Sequence, residues 1–185
     1  MPSNQLPEPW QSFLSEIDST LSEEVEFHCI GGFATTMAYG LSRSTADVDV
    51  IAIAPTTTRK PLLELAGQFR SLHKRYGVYL DMVAIVTLPE NYDERMIEMF
   101  PGNFTNLRLY ALDPYDLALS KLERNAQRDR DDVKHLARTV PLDLVKLRDR
   151  YEIELEPYLA PAIAIREEHT LRLWIEAIEE ERAIQ

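Results

Sequence analysis

Hydrophobic positions change period several times along the 185-residue chain. Trp10, Phe13, Leu14, Ile17 and Leu21 recur at spacings of three and four, which predicts an amphipathic helix over 10–21. Val25 to Ile30 reads as a strand closed by Gly31-Gly32. Phe33 to Tyr39 suits a short helix running into Gly40, a C-cap residue because glycine takes the left-handed conformation without steric penalty. Val48 to Ala54 (VDVIAIA) is a strong strand stopped by Pro55. One helix is predicted from about Lys60 to Tyr76, with Leu62, Leu63, Leu65, Ala66, Phe69 and Leu72 on or near one side, ended by Gly77. Val78 to Val86 (VYLDMVAIV) is a further strand, stopped near Pro89, and Asn106 to Ala111 another.

From Pro114 the pattern turns helical almost throughout. Asp113-Pro114 is a good helix start, since proline in the first turn loses no hydrogen bond. Pro141 is read as the start of another helix, and Pro157 and Pro161 as a break. In the tail, Leu171, Leu173, Trp174, Ile175 and Ile178 give an apolar side. The expected architecture is α+β: a small mixed β-sheet flanked by helices in a head of residues 1–112, and a helical C-terminal region, 113–185, packed on it.

Composition narrows the classes. A single cysteine, Cys29, excludes an intramolecular disulfide and a cysteine-rich zinc module. No run approaches the ~18 consecutive apolar residues of a membrane span. Met1 to Trp10 is polar and proline-punctuated, unlike a signal peptide, so a cytoplasmic location is expected. The net charge is −11, and residues 151–185 hold nine Glu against three Arg. Broad nucleic-acid binding needs clustered Lys and Arg, so such a balance disfavours it over the whole surface.

The chemistry concentrates in Arg43-Ser-Thr45-Ala-Asp47-Val-Asp49. Asp47 and Asp49 are two apart at a strand start, so their side chains project from one face. Like charges side by side repel unless a cation sits between them, and a magnesium-type ion prefers such oxygen ligands. Asp81 places a third carboxylate inside VYLDMVAIV, where aspartate is disfavoured. If the strands of 48–54 and 78–86 are neighbours, Asp81 joins the pair. Three convergent carboxylates can hold two metal ions for in-line displacement at phosphorus. Taken singly, an Asp-x-Asp is also a turn or cap feature, and Asp81 could pair with a buried arginine. Gly31-Gly32, between a strand and a helix, would let backbone N–H groups approach a phosphate, though a tight turn needs the same residues.

The string GGFATTMAYGLSRSTADVDVIAI resembles the nucleotide-binding signature of the DNA-polymerase-β-like nucleotidyltransferase superfamily. Its Arg-x-Thr-x-Asp-x-Asp is similar to the AbiEii-type toxin branch and the related domain-of-unknown-function 6036 group. Leu112 to Val133, with Pro114, Asp116, Leu117, Lys121, Leu122, Asp129 and Asp132, is similar to a second element of that group. The resemblance implies a metal-dependent transfer of a nucleotide from a nucleoside triphosphate to an acceptor hydroxyl, within a toxin–antitoxin system or outside one. It implies two Mg2+ ions on Asp47, Asp49 and Asp81, with Asp81 also as general base. It implies nucleotide contacts from Gly31, Gly32, Arg43, Thr45, Lys121 and Asp129, with Lys121 counted as catalytic through charge neutralisation. Gly-Gly in place of the commoner Gly-Ser removes one hydroxyl that could touch phosphate.

A catalytically silent binding or antitoxin module is the alternative. The acceptor is a protein, a small molecule or a transfer RNA. The basic residues of 121–150 are the candidate track for RNA, and acidic residues interrupt them, so a protein or small-molecule acceptor is expected over RNA. A cognate toxin or antitoxin is the expected protein partner.

Overall fold

The computed structural model describes residues 6–184; the first five positions of the proline-punctuated N-terminus and Gln185 lie outside the described residues. The chain forms two compact units: one takes in the chain up to Ile85 together with Met96–Leu112, the other Val86–Arg95 with the chain from Asp113 onward.

The first unit is built on a five-stranded mixed sheet. In chain order it contains α1 (Trp10–Thr20), β1 (Val25–Cys29), α2 (Gly31–Tyr39), β2 (Asp47–Ala54), α3 (Arg59–Ala66), α4 (Ser71–Tyr76), β3 (Tyr79–Met82), β4 (Ile97–Met99) and β5 (Leu107–Ala111). The strand order is β3-β2-β1-β5-β4. β1 runs antiparallel to β2 and parallel to β5, β2 parallel to β3, and β4 antiparallel to β5. The architecture is α+β, as the alternation of periods implied.

Helix α1 buries Trp10, Phe13, Leu14 and Ile17, the residues that carried its three-four spacing. The Trp10 and Phe33 rings meet edge-on at 5.1 Å, joining α1 to α2. Asp18, near the end of α1, accepts backbone N–H bonds from Thr105 (3.0 Å), Asn106 (2.7 Å) and Leu107 (2.8 Å), which fixes the entry to β5.

Several predicted boundaries move. The helix expected over 60–76 is two, because Gly67 is extended and pairs with Leu80 instead of continuing α3. A side chain at Gly67 would lie 2.4 Å from the Leu63 carbonyl oxygen. Phe69, expected among the apolar residues of that helix, has a φ of 64° and is 72% exposed. The strand expected to reach Val86 ends at Met82, opposite Val50, while β2 runs on to Ala54 paired with β1. β4 was not anticipated; three residues are too short to show a period.

The second unit is helical: α5 (Pro114–Leu119), α6 (Gln127–Thr139), α7 (Leu144–Arg150) and α8 (Pro161–Ile184). α7 starts three residues after Pro141, because Asp143 caps it by accepting from the Val145 and Lys146 backbone. Of the tail's apolar residues, Leu171, Trp174, Ile175 and Ile178 are buried, while Leu173 is 48% exposed. Arg150 is buried and binds Asp113 (2.7 Å) and Asp116 (2.9 Å), and Arg95 reaches Asp116 at 3.2 Å. Burial holds Asp116 above the usual aspartate range despite these guanidinium groups.

Candidate active site

Strand β2 starts at Asp47, so Asp47 and Asp49 share a face while Val48 and Val50 are buried on the other. The parallel register sets Asp47 opposite Tyr79 and Asp49 opposite Asp81. The carboxylates of Asp49 and Asp81 therefore belong to neighbouring positions on one sheet surface. The condition that the strands of 48–54 and 78–86 be neighbours is met, over 47–50 and 79–82. Asp81 is solvent-exposed on the edge strand of the sheet, so it needs no buried arginine.

The glycine pair lies beside the 43–49 stretch, with Gly31 against Asp49 itself. Ile30 donates its N–H to the Asp49 carbonyl (2.9 Å), tying the start of α2 to β2. Gly31 has a φ of 65°, and a β-carbon there would lie 2.1 Å from Asp49 Oδ2. At Gly32 it would lie 3.2 Å from Thr45 Oγ1 and 3.3 Å from Arg43 Nη2. Gly31, Gly32, Arg43, Thr45 and Asp49 are thus one constellation. Thr45 Oγ1 donates to Asp47 Oδ1 at 2.9 Å, linking Asp47 to it. The first N–H groups of a helix have no intrahelical partner, so the start of α2 presents backbone donors next to the carboxylates.

Tyr79 was not singled out from the sequence. Its hydroxyl lies 3.4 Å from Asp47 Oδ2. Burial first, then the charges of Asp47, Asp81 and Asp49, push its pKa above the ordinary phenol value. One phenol feels all three carboxylates. The signal was present: Tyr79 and Asp81 are two apart in the same strand and share a face.

Cys29, on β1, is fully buried; burial and then the Asp49 charge push its thiol up, so it is no nucleophile. Among the described residues, no group of three or more His, Cys, Asp or Glu side chains is arranged to hold a metal ion by itself.

Lys121 and Asp129 lie in the second unit, and each is engaged locally. Lys121 is 4% exposed, with Nζ 2.7 Å from Asp132 Oδ2. Asp129 is buried, accepts from the Ala126 N–H at 2.9 Å and pairs with Arg124 at 2.5 Å. Burial would raise Asp129, but Arg124 and the Ala126 N–H outweigh it and hold the carboxyl below its usual range.

Residues 11–180 match the family described as "Nucleotidyltransferase of unknown function (DUF6036)", and the chain belongs to that family. No curated protein and no solved structure matches it. No described helix is long and apolar enough to cross a membrane.

Proposed function

We propose that the protein is a metal-dependent nucleotidyltransferase that moves a nucleotide from a nucleoside triphosphate to an acceptor hydroxyl. The observation that carries this reading is the register of Asp49 against Asp81, with Asp47 on the same face and Gly31 in contact with Asp49. Family membership supports the reaction class.

The donor set is all oxygen, which suits magnesium. That ion is commonly held by one or two carboxylates, with substrate phosphates and water completing its shell, so a closed protein cage is not required. Asp47 and Asp49 are the residues that would hold it, with Asp81 beside them. Bound there, such ions would supply neutralisation of the triphosphate charge and polarisation of the phosphorus under attack.

The chain's own groups do the rest. Gly31 and Gly32 offer backbone N–H donors at a helix start, where anions are favoured. Arg43 adds a guanidinium beside Gly32, and Thr45 orients the Asp47 carboxylate through its hydroxyl. Asp81, exposed on the edge strand, takes the proton from the acceptor hydroxyl as its oxygen attacks the α-phosphorus. The new bond is acceptor O–P, and pyrophosphate departs with the electrons of the broken P–O bond.

The test is transfer of label from α-phosphate-labelled triphosphates by wild type and by the Asp47→Asn/Asp49→Asn variant, with circular dichroism to verify the fold. Wild type should transfer label with magnesium and the folded variant should not. Transfer by the variant at the wild-type rate would falsify the assignment.

A further inference from the structure

Residues 55–79 carry five Lys and Arg against one acidic residue, Glu64, in a chain of net charge −11. This local excess lies in the first unit, on α3, α4 and the turn between them. Arg59, Lys60 and Arg70 line one depression of about 250 Å3, with Thr56, Leu63 and Glu64. Lys60 reaches Glu64 only at 3.9 Å, with both side chains largely exposed, a weak pair. Arg59, Arg70 and Lys74 are exposed and bind no described acidic group, whereas Arg75 is paired with Glu16. In the basic stretch of 121–150, four of the nine cations, Lys121, Arg124, Arg138 and Arg150, are matched to carboxylates.

Aromatic rings connect this basic surface to the carboxylates. The Tyr79 hydroxyl lies 3.4 Å from Asp47 Oδ2, the Tyr79 ring is 4.9 Å from His73, and His73 is 5.8 Å from Phe69. Phe69 precedes Arg70 and closes the ladder at the cationic end. Its backbone is in the left-handed region, unfavourable for a bulky residue. The turn is held by the Phe69 N–H donating to His73 Nδ1 at 2.8 Å. The result is a ring 72% exposed to solvent rather than packed under α3. Backbone strain that holds an apolar ring in water gives no packing benefit to the fold.

We propose that the α3–α4 surface is a docking site for a single-stranded polynucleotide. Its phosphates would be met by Arg59, Lys60, Arg70 and Lys74, and a base would stack on Phe69. Exposed cations with an interleaved exposed aromatic are the chemistry that holds single strands without reading sequence. The ladder leads from this surface to Asp47, so the 3′-terminal hydroxyl of such a strand is the acceptor. That last clause rests on the proposed transferase reaction; the docking itself does not. It runs against the expectation of a protein or small-molecule acceptor, which rests on the interrupted cations of 121–150.

The experiment is fluorescence anisotropy of the full chain with a labelled, unstructured 12-nucleotide RNA and with a duplex of the same length. Neutralising three to four phosphates predicts roughly 20- to 50-fold weaker single-strand binding at 200 mM than at 50 mM salt. Arg59→Glu/Arg70→Glu should weaken binding at least tenfold. Phe69→Asn, which keeps a residue tolerant of the left-handed region, should weaken it about fivefold or more without lowering the melting temperature. The Asp47→Asn/Asp49→Asn variant should bind at least as tightly as wild type, which separates a docking failure from a failure of the transfer chemistry. Absent or salt-insensitive binding would overturn the proposal. So would equal affinity for duplex, wild-type affinity in both surface variants, or binding to anionic phospholipid vesicles in place of the oligonucleotide.

Discussion

Asp49 Oδ2 occupies the space that a side chain at Gly31 would need: a β-carbon there would lie 2.1 Å from it. The glycine is required twice, for its φ of 65° and for the carboxylate against it.

Gly31→Ala should therefore lose about 1–2 kcal/mol from the left-handed backbone alone, and it should also displace Asp49. Gly40 is the control. It has a φ of 70° but nothing within 4 Å of an added β-carbon. In urea unfolding Gly31→Ala should lose at least as much as Gly40→Ala. Only Gly31→Ala should abolish magnesium-dependent triphosphate binding in calorimetry. Equal binding by the two would detach Gly31 from the site.

The Lys121–Asp132 pair is buried on both sides. Removing one partner of such a pair leaves an uncompensated charge and typically costs about 3–5 kcal/mol, while replacing both with apolar residues is often neutral. Lys121→Met should be strongly destabilised in urea unfolding, and Lys121→Met/Asp132→Leu should recover most of the loss. A double variant no better than the single one would show that the pair is not the source.

Asp18 gives a pH dependence at the acid end. Burial raises it, but the Thr105, Asn106 and Leu107 N–H groups, with Arg108 nearby, outweigh that and leave it below the ordinary value of 3.8. A folded value below the unfolded one means that the stabilisation is complete above the unfolded value. It is lost as pH falls through the folded value. Asp18→Asn should cost about 1–3 kcal/mol at pH 7, and the gap to wild type should close in unfolding titrations taken below pH 3.8.

Glu167 has the opposite sign. It is 3% exposed on α8, and burial, then the Glu123 charge, push it up to about 6 from 4.5 against the pull of Arg166. The folded state holds the proton more tightly, so stability should fall as pH rises from 4.5 to 6. At pH 7 and above, Glu167→Gln should gain about 1–2 kcal/mol, and at pH 4.5 almost nothing. A pH-independent difference in melting temperature would refute this.

The sequence by itself determined the α+β class, because periods of two and of three to four were written into residues 10–54 and 106–111. It also placed Asp47 and Asp49 on one face, since a strand alternates whatever it packs against. Family resemblance was legible because Gly-Gly and Asp-x-Asp occur in order. What the sequence left open were relationships across strands and turns. Asp81 could become the neighbour of Asp49 only through a parallel register, and a register depends on which strands meet, not on either strand's pattern. Tyr79 entered the site by the same register. The apolar run after Met82 looked like more strand, but a strand lasts only while it stays beside its partner, and the chain leaves β2 at Val50 although β2 itself runs on to Ala54 against β1. Phe69 fitted the helical spacing, yet the extended Gly67, paired with Leu80, ended the helix and turned the ring outward. Among the cations, sequence spacing showed where Lys and Arg lie, but only tertiary contacts decided that those of 121–150 include four matched to carboxylates while Arg59, Arg70 and Lys74 face water.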